Sequence, residues 1–399
     1  MHKVVITSAG AVSPLGSGLE ENMQNLAAGF RGIDNIVNFD VSLFPVKVGA
    51  EARRNGEVIR TDTLVDRKAM FIRESVAETV LSGSLSRYKP GDRGLFLGAG
   101  IDYFNLKDYL DSPDAIGNKE WKRFCLRSSD VVKGLAKEYE VRGGCYTNVS
   151  ACVASTQAIG LAFRKVKSNP SKAVIAGGFD SMLCHLHYLG FYKLGALSNW
   201  EGDPREACRP FDKNRCGLVI GEGAAAYLLE SSENADPGKI LAEVCGYGAT
   251  MDSYMVTDPH PEGLYLAKAA MKAIKEAGIT PNEIDCVHAH ETGTCRNALA
   301  ETQALKLIFG DRYTEIPVFS LKGQVGHLIG ACGALELLGV IDSLRNQRVL
   351  PTVNFFDRDP EVPLNVITGK PLNMNINYVL KLNAAFGGQN SALVLKKYE

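Results

Sequence analysis

VSACVASTQAIGLAFRKVKS (149–168) and VGHLIGACGALELLGVIDSL (325–344) are two stretches of one chain built to one plan. Each opens on Val and small residues, sets out a chemically active side chain, Cys152 or His327, and runs into a long apolar helical pattern. Farther along, GEGAAAYLLE (221–230) and GGQNSALVLK (387–396) each follow glycines with a strand-like run. Short apolar, β-branched runs lie around these blocks: VVITSAG (4–10), GLFLGAG (94–100), AVIAGGFD (173–180), ILAEVCGYG (240–248), CVHAH (286–290) and VFSLKG (318–323). Buried strands alternating with helices predict an α/β architecture. The repeated order predicts two related halves, 1–238 and 239–399, each a mixed sheet flanked by helices, with the crossover at PGKI (237–240). The first half is the longer, and much of its excess is expected at 101–145, a segment suited to capping a pocket or meeting another subunit.

Composition narrows the function classes. The chain has 399 residues, 45% apolar and 22% charged, an ordinary globular balance. A net charge of -1 supplies no global field for nucleic acid or an anionic membrane. No signal-peptide pattern opens the sequence and no run of eighteen apolar residues occurs, so a soluble, cytoplasmic protein is expected. Ten cysteines without a CxxC pair argue for reduced thiols and against a zinc ribbon. Phosphate-binding glycine motifs in their required contexts are absent.

Cys152 follows the strand-like TNVSA at the start of a helix, among small residues. Unsatisfied N–H groups and the helix dipole there favour a thiolate, the reactive form, while small neighbours admit a substrate carbonyl. His290 ends an apolar strand and precedes ETGT, and His327 holds the helix-start position that Cys152 holds in the other half. If a pseudo-twofold relates the halves, thiol and imidazole meet at their junction. Lys322, five residues before His327, and Glu336, in the apolar helix GALELL, are candidate partners. His288 and His290 would share one strand face, as a metal-binding pair would, yet no third ligand is evident and no metal is expected; the pair His185 and His187 has still less support. RPFDKNRCGLVIGEGA (209–224) reads as a tight turn feeding a buried strand, and FGGQN (386–390) as a close backbone approach.

VSACVAS, AGGFDS (176–181), RPFDKNRCGLVIGEGA, AHETGT, LKGQVGHLIGACGALE and AFGGQNSALVL, taken in order along essentially the whole chain, resemble the condensing enzymes of fatty-acid and polyketide synthesis, the β-ketoacyl carrier-protein synthases. The resemblance implies a thiolase-like, five-layered αβαβα fold made of duplicated halves. It implies that Cys152 takes an acyl chain from a carrier-protein thioester, and that the amides of Cys152 and Phe386 form the oxyanion hole. It further implies that His290 and His327 assist malonyl decarboxylation, supported by Lys322 and Glu336. Thr257, Thr292 and Thr294 would meet the pantetheine arm of the carrier, and Phe386 would gate the site. No metal or organic cofactor is implied. The implied partners are an acyl carrier protein and either a second copy or a chain-length-factor-like subunit, with basic residues such as Lys122, Arg123 and Arg127 as carrier contacts.

Departures from the family pattern are Glu291 for glycine, His288 for Asn, Ala384 for Phe and Cys216 for Asp. TGTCRN, with Asn297, is more similar to the polyketide and polyene branch. Three other readings compete. A non-catalytic chain-length factor would usually have lost the cysteine, a thiolase would carry a second cysteine nearer the C-terminus than Cys332, and a cysteine hydrolase would need water that an apolar tunnel excludes.

Overall fold

The computed structural model describes residues 2–60, 66–105 and 109–399. Its main strands are β1 (Val4–Ser13), β2 (Arg93–Ala99), β3 (Cys145–Val149), β4 (Ala173–Ser181), β5 (Glu222–Ser231), β6 (Ala242–Met251), β7 (Cys286–His288), β8 (Pro317–Phe319), β9 (Asn365–Val366), β10 (Tyr378–Ala385) and β11 (Gln389–Lys396). They hydrogen-bond in the order β3-β2-β4-β5-β1-β6-β11-β10-β7-β8-β9. The order is mirrored about the β1–β6 junction: β3-β2-β4-β5-β1 on one side matches β8-β7-β10-β11-β6 on the other. Pairing directions are mirrored too, with β3, β2 and β4 parallel like β8, β7 and β10. Even the irregularities recur. β1 shifts register between Ile6 and Ser8 against β5, and β6 between Val244 and Gly246 against β11, each at the fourth residue of a ten-residue strand.

The helices that position the site are α1 (Arg67–Ser82), α2 (Ser128–Glu138), α3 (Ala154–Ser168), α4 (Leu264–Ala277), α5 (Cys295–Phe309) and α6 (Cys332–Asn346). α3 and α6 form the middle layer, touching each other and both half-sheets; α1 and α2 cover the outside of the first half-sheet, and α4, backed by α5, the outside of the second. Helix, sheet, helix, sheet, helix is the expected five-layered αβαβα arrangement. Every residue from Cys332 to Leu344 is buried, which is why this stretch is apolar around most of its circumference, with Glu336, Asp342 and Ser343 as the buried exceptions. Each fully buried Leu, Ile or Val contributes about 1.5–3 kcal/mol, so the central pair is the main hydrophobic anchor.

In the segment 101–145, Tyr103–Phe104 pairs with Cys125–Leu126 and α2 follows. Leu106, Lys107 and Asp108 lie outside the described residues. Arg123 pairs with Glu120 and Lys122 stacks on Trp121. VFSLKG is a strand only to Phe319; a helical turn begins at Lys322. No helix among the described residues is long and apolar enough to cross a membrane.

Candidate active site

β3 ends at Val149, and a single 3-10 turn, Ala151–Val153, carries Cys152 into α3. Ala151 takes φ +49°, which bends the chain sharply and presents the next side chain inward. The twin turn is Ile329–Ala331, with Ile329 at φ +48°, and it leads into α6, a helix of the same 15 residues as α3. The structural counterpart of Cys152 is therefore Gly330, and His327 stands three residues earlier than the predicted helix-start position. Apolar similarity of the two blocks had hidden that offset.

Cys152 is buried, and burial pushes its thiol up to about 12. Lys322 and the backbone amides of Phe386 and Cys152 pull the other way without overcoming it. The expected thiolate is thus a thiol at rest, because desolvation outweighs the helix terminus. The same amides place two donors at the sulfur, where an oxyanion would develop.

His290 lies just past the end of β7. Its backbone N–H donates to Glu301 Oε1 at 2.6 Å, and that of Glu291 donates to Glu301 Oε2 at 2.9 Å, so α5 holds the loop. Burial, reinforced by Glu291, raises the Glu301 carboxyl to about 7. Behind the ring, Lys322 Nζ stands 3.4 Å and Asn383 Nδ2 3.2 Å from His290 Nδ1. Lys322 donates to Glu336, and so does Lys381, at 3.0 Å. Burial alone would strip the charge from this cluster. The two lysines nevertheless hold Glu336 well below the carboxylate range, and Glu336 keeps Lys322 above the usual lysine range, while Lys381 is lowered by burial. Burial, with Lys322 adding to it, drives His290 well down, so it is neutral.

His327 is pinned by backbone on both sides, its N–H donating to Val219 O at 2.7 Å and its carbonyl accepting from Gly221 N at 2.9 Å. The block RPFDKNRCGLVIGEGA is thus a clamp on His327 as well as a feed into β5. Its Nδ1 meets Cys332 Sγ at 2.8 Å, and its ring centroid lies 5.3 Å from that of His290. Burial and Lys322 lower it to about 3.

Cys152, His290, His327, Thr257, Thr292, Thr294 and Phe386 all line one cavity of about 470 Å³. Lys322 and Glu336 sit behind its wall. Thr292 and Thr294 join through their hydroxyls at 2.9 Å, and Phe386 stacks on Phe191 at 6.3 Å before the turn Gly387–Gly388, both at positive φ. Ala384 and Cys216 also face the cavity, and Glu291 accepts from the backbone of Phe211 and Gly293. His288 packs on Phe319 at 4.8 Å, and burial lowers it to about 3 against the pull of Glu336. No group of three or more His, Cys, Asp or Glu residues suited to a metal occurs among the described residues.

Sequence reasoning missed Lys381, Asn383, Cys332 and Glu301. The first two had a signal: in YVLKLNAA they alternate on one face of an otherwise apolar strand. Cys332 and Glu301 had none, since each stands within a helix whose pattern does not tell what it faces across the fold.

The sequence matches two family profiles, "Beta-ketoacyl synthase, N-terminal domain" over residues 1–235 and "Beta-ketoacyl synthase, C-terminal domain" over 241–356. It is 32% identical to the 3-oxoacyl-[acyl-carrier-protein] synthase 2 of Synechocystis sp. over 100% of this chain and 98% of that one, and 32% identical to that of Staphylococcus aureus over 100% and 99%. Among solved structures, a beta-ketoacyl synthase from Burkholderia phymatum superposes with a TM-score of 0.85 at 30% identity, each chain covered in full. A type II polyketide ketosynthase in complex with its acyl-carrier protein gives 0.89 at 26%, and the ishigamide ketosynthase/chain length factor 0.87 at 26%, again with full coverage of both chains. With both halves matched in order and full-length relatives on either side, the chain belongs to the β-ketoacyl synthase family of condensing enzymes.

Proposed function

We propose that this chain carries out decarboxylative Claisen condensation between an acyl group on Cys152 and malonyl carrier protein. The observation that carries the assignment is the convergence of Cys152, His290 and His327 on one cavity, with two backbone amides at the sulfur. The Cys152 thiol gives up its proton as sulfur attacks the carrier thioester, and the amides of Cys152 and Phe386 hold the oxyanion. The pantetheine thiolate leaves and is protonated, and the acyl chain stays on Cys152. Malonyl thioester then loses carbon dioxide, and the enolate oxygen rests against the two imidazoles. Its carbon attacks the acyl carbonyl, the Cys152 thiolate departs, and the β-ketoacyl product is two carbons longer. The carrier supplies the thioester and the malonyl carboxylate the driving force, so the reaction calls on no metal or organic cofactor.

The intact cysteine favours this reading over a chain-length factor. Carrier and partner subunits appear in the structural relatives, and β3 offers a contact here: it is an edge strand with Cys145, Tyr146 and Val149 exposed. Ten free cysteines accord with a reducing cytoplasm. We read 1–238 and 239–399 as the two halves, with 101–145 as cap or contact surface.

Intact-protein mass spectrometry with a series of acyl carrier proteins tests the assignment. Acylation localised to Cys152, discharged by malonyl carrier protein and abolished in Cys152→Ala, is expected. Condensation surviving in Cys152→Ala would reject it.

A further inference from the structure

Lys381 and Asn383 have no part in the chemistry above, yet both are buried on β10 beside His290. Asn383 fills every hydrogen-bonding position it has. Its Oδ1 accepts from Thr156 Oγ1 at 2.6 Å and from Lys381 Nζ; its Nδ2 donates to Glu336 Oε2 at 2.9 Å and to His290 Nδ1 at 3.2 Å. Turning the amide over would set its NH₂ against the Lys381 ammonium and its oxygen against the Glu336 carboxylate, so those two charges fix its orientation. The other group at His290 Nδ1 is the Lys322 ammonium, which has no lone pair to offer. His290 Nδ1 therefore faces two donors and must be the bare nitrogen. The ring proton is on Nε2, the nitrogen left to face the cavity.

We propose that Asn383, oriented by Lys381 and Glu336, is a positioning residue that fixes His290 as the Nε2–H tautomer, a hydrogen-bond donor to the enolate oxygen and never its proton acceptor. The proposal rests on the ketosynthase reading for its chemistry but not for its tautomer. His327 is held differently. Its Nδ1 meets the Cys332 thiol, which can donate or accept, so that ring is free to change tautomer and carry the Cys152 proton. The two imidazoles, which face one cavity, are thereby separated into a fixed donor and a proton carrier.

The test uses the full chain labelled with ¹³C and ¹⁵N histidine. The His290 signals, identified by their loss in His290→Gln, should report a neutral ring protonated at Nε2, and Asn383→Asp, whose carboxylate only accepts, should move the proton to Nδ1. Asn383→Asp is also expected to slow malonyl decarboxylation and condensation about 10- to 100-fold, as loss of an orienting partner does, while acyl loading of Cys152 changes by no more than about threefold. Lys381→Met, which removes one of the two charges that orient the amide and leaves Glu336 and Thr156 holding it, should lose the same step to a smaller extent. A wild-type His290 protonated at Nδ1 overturns the proposal even if neither variant folds. So does condensation within about threefold of wild type in both variants, or a parallel loss of loading and condensation. Failure of the ketosynthase reading shows separately, as a wild-type chain that never loads.

Discussion

Glu336 is the one carboxylate between two buried ammonium groups, and its removal shows what that arrangement is worth. Glu336→Gln leaves Lys322 and Lys381 facing each other without a counter-charge, and breaking a buried pair in this way costs about 3–5 kcal/mol. A urea melt should register that loss, and Lys381→Met in the same chain should recover part of it by removing the repulsion. His288 supplies a second residue-level expectation. Neither of its ring nitrogens finds a hydrogen-bond partner among the described residues. Burial holds both His288 and His327 near 3, so the folded protein keeps them neutral while the unfolded chain protonates them below its ordinary 6.5. Their contribution is fully present above 6.5 and is lost as pH falls from 6.5 towards 3, at about 1.4 kcal/mol per pH unit for each histidine. His288→Leu should be neutral or stabilising at pH 7 and should flatten that acid slope; an unchanged slope would mean the ring is hydrated. Cys152, His290 and His327, which meet at one cavity, could be singled out as candidates in the sequence because reactive residue types stand there at element ends. Asn383 was not, because what it does depends on which way its amide points, and that is decided by charges arriving from α6 and its own strand.

At the scale of elements, the site depends on how closely α3 and α6 approach. A methyl group at Gly333 would run into the backbone nitrogen and hydroxyl of Thr156, the residue that also holds Asn383. Gly333→Ala should cost about 1–3 kcal/mol by overpacking. It should also slow condensation more than its stability loss explains, since it pushes on Cys332 and hence on His327. Single-turnover rates below the melting range separate the two effects, and activity that simply follows stability would place the strain elsewhere. The strands and helices of this core were readable from apolar runs and their repetition. The register of the repeat was not. His327 and Cys152 looked equivalent because each precedes an apolar helix, whereas the backbone aligns Cys152 with Gly330 through the paired positive φ values at Ala151 and Ile329, and sequence carries no mark of φ for Ala or Ile.

For the whole molecule, the open β3 edge is the feature with the largest consequence. An exposed edge of this kind pairs with another chain unless something blocks it. Two copies meeting about a twofold axis there bring each residue near its own twin. Tyr146→Asp sets like charge against like charge and should weaken self-association by at least about tenfold, read as molecular mass against concentration. A wild-type chain that stays monomeric at high concentration would direct the edge to a different subunit.

The mirrored sheet gives each chain two equivalent nucleophile turns, and only one is equipped. At Gly330 a side chain would collide with the backbone of Ala99 and Gly100, while Asp180 ties the Gly330 and Gly100 amides together at 2.9 Å each. The second turn is closed to any thiol by main chain, which does not yield to a change of side chain. Acyl loading at these turns is thus limited to one equivalent per polypeptide, so a pair of identical chains would carry two cargoes, whereas a pair with a subunit lacking the cysteine would carry one.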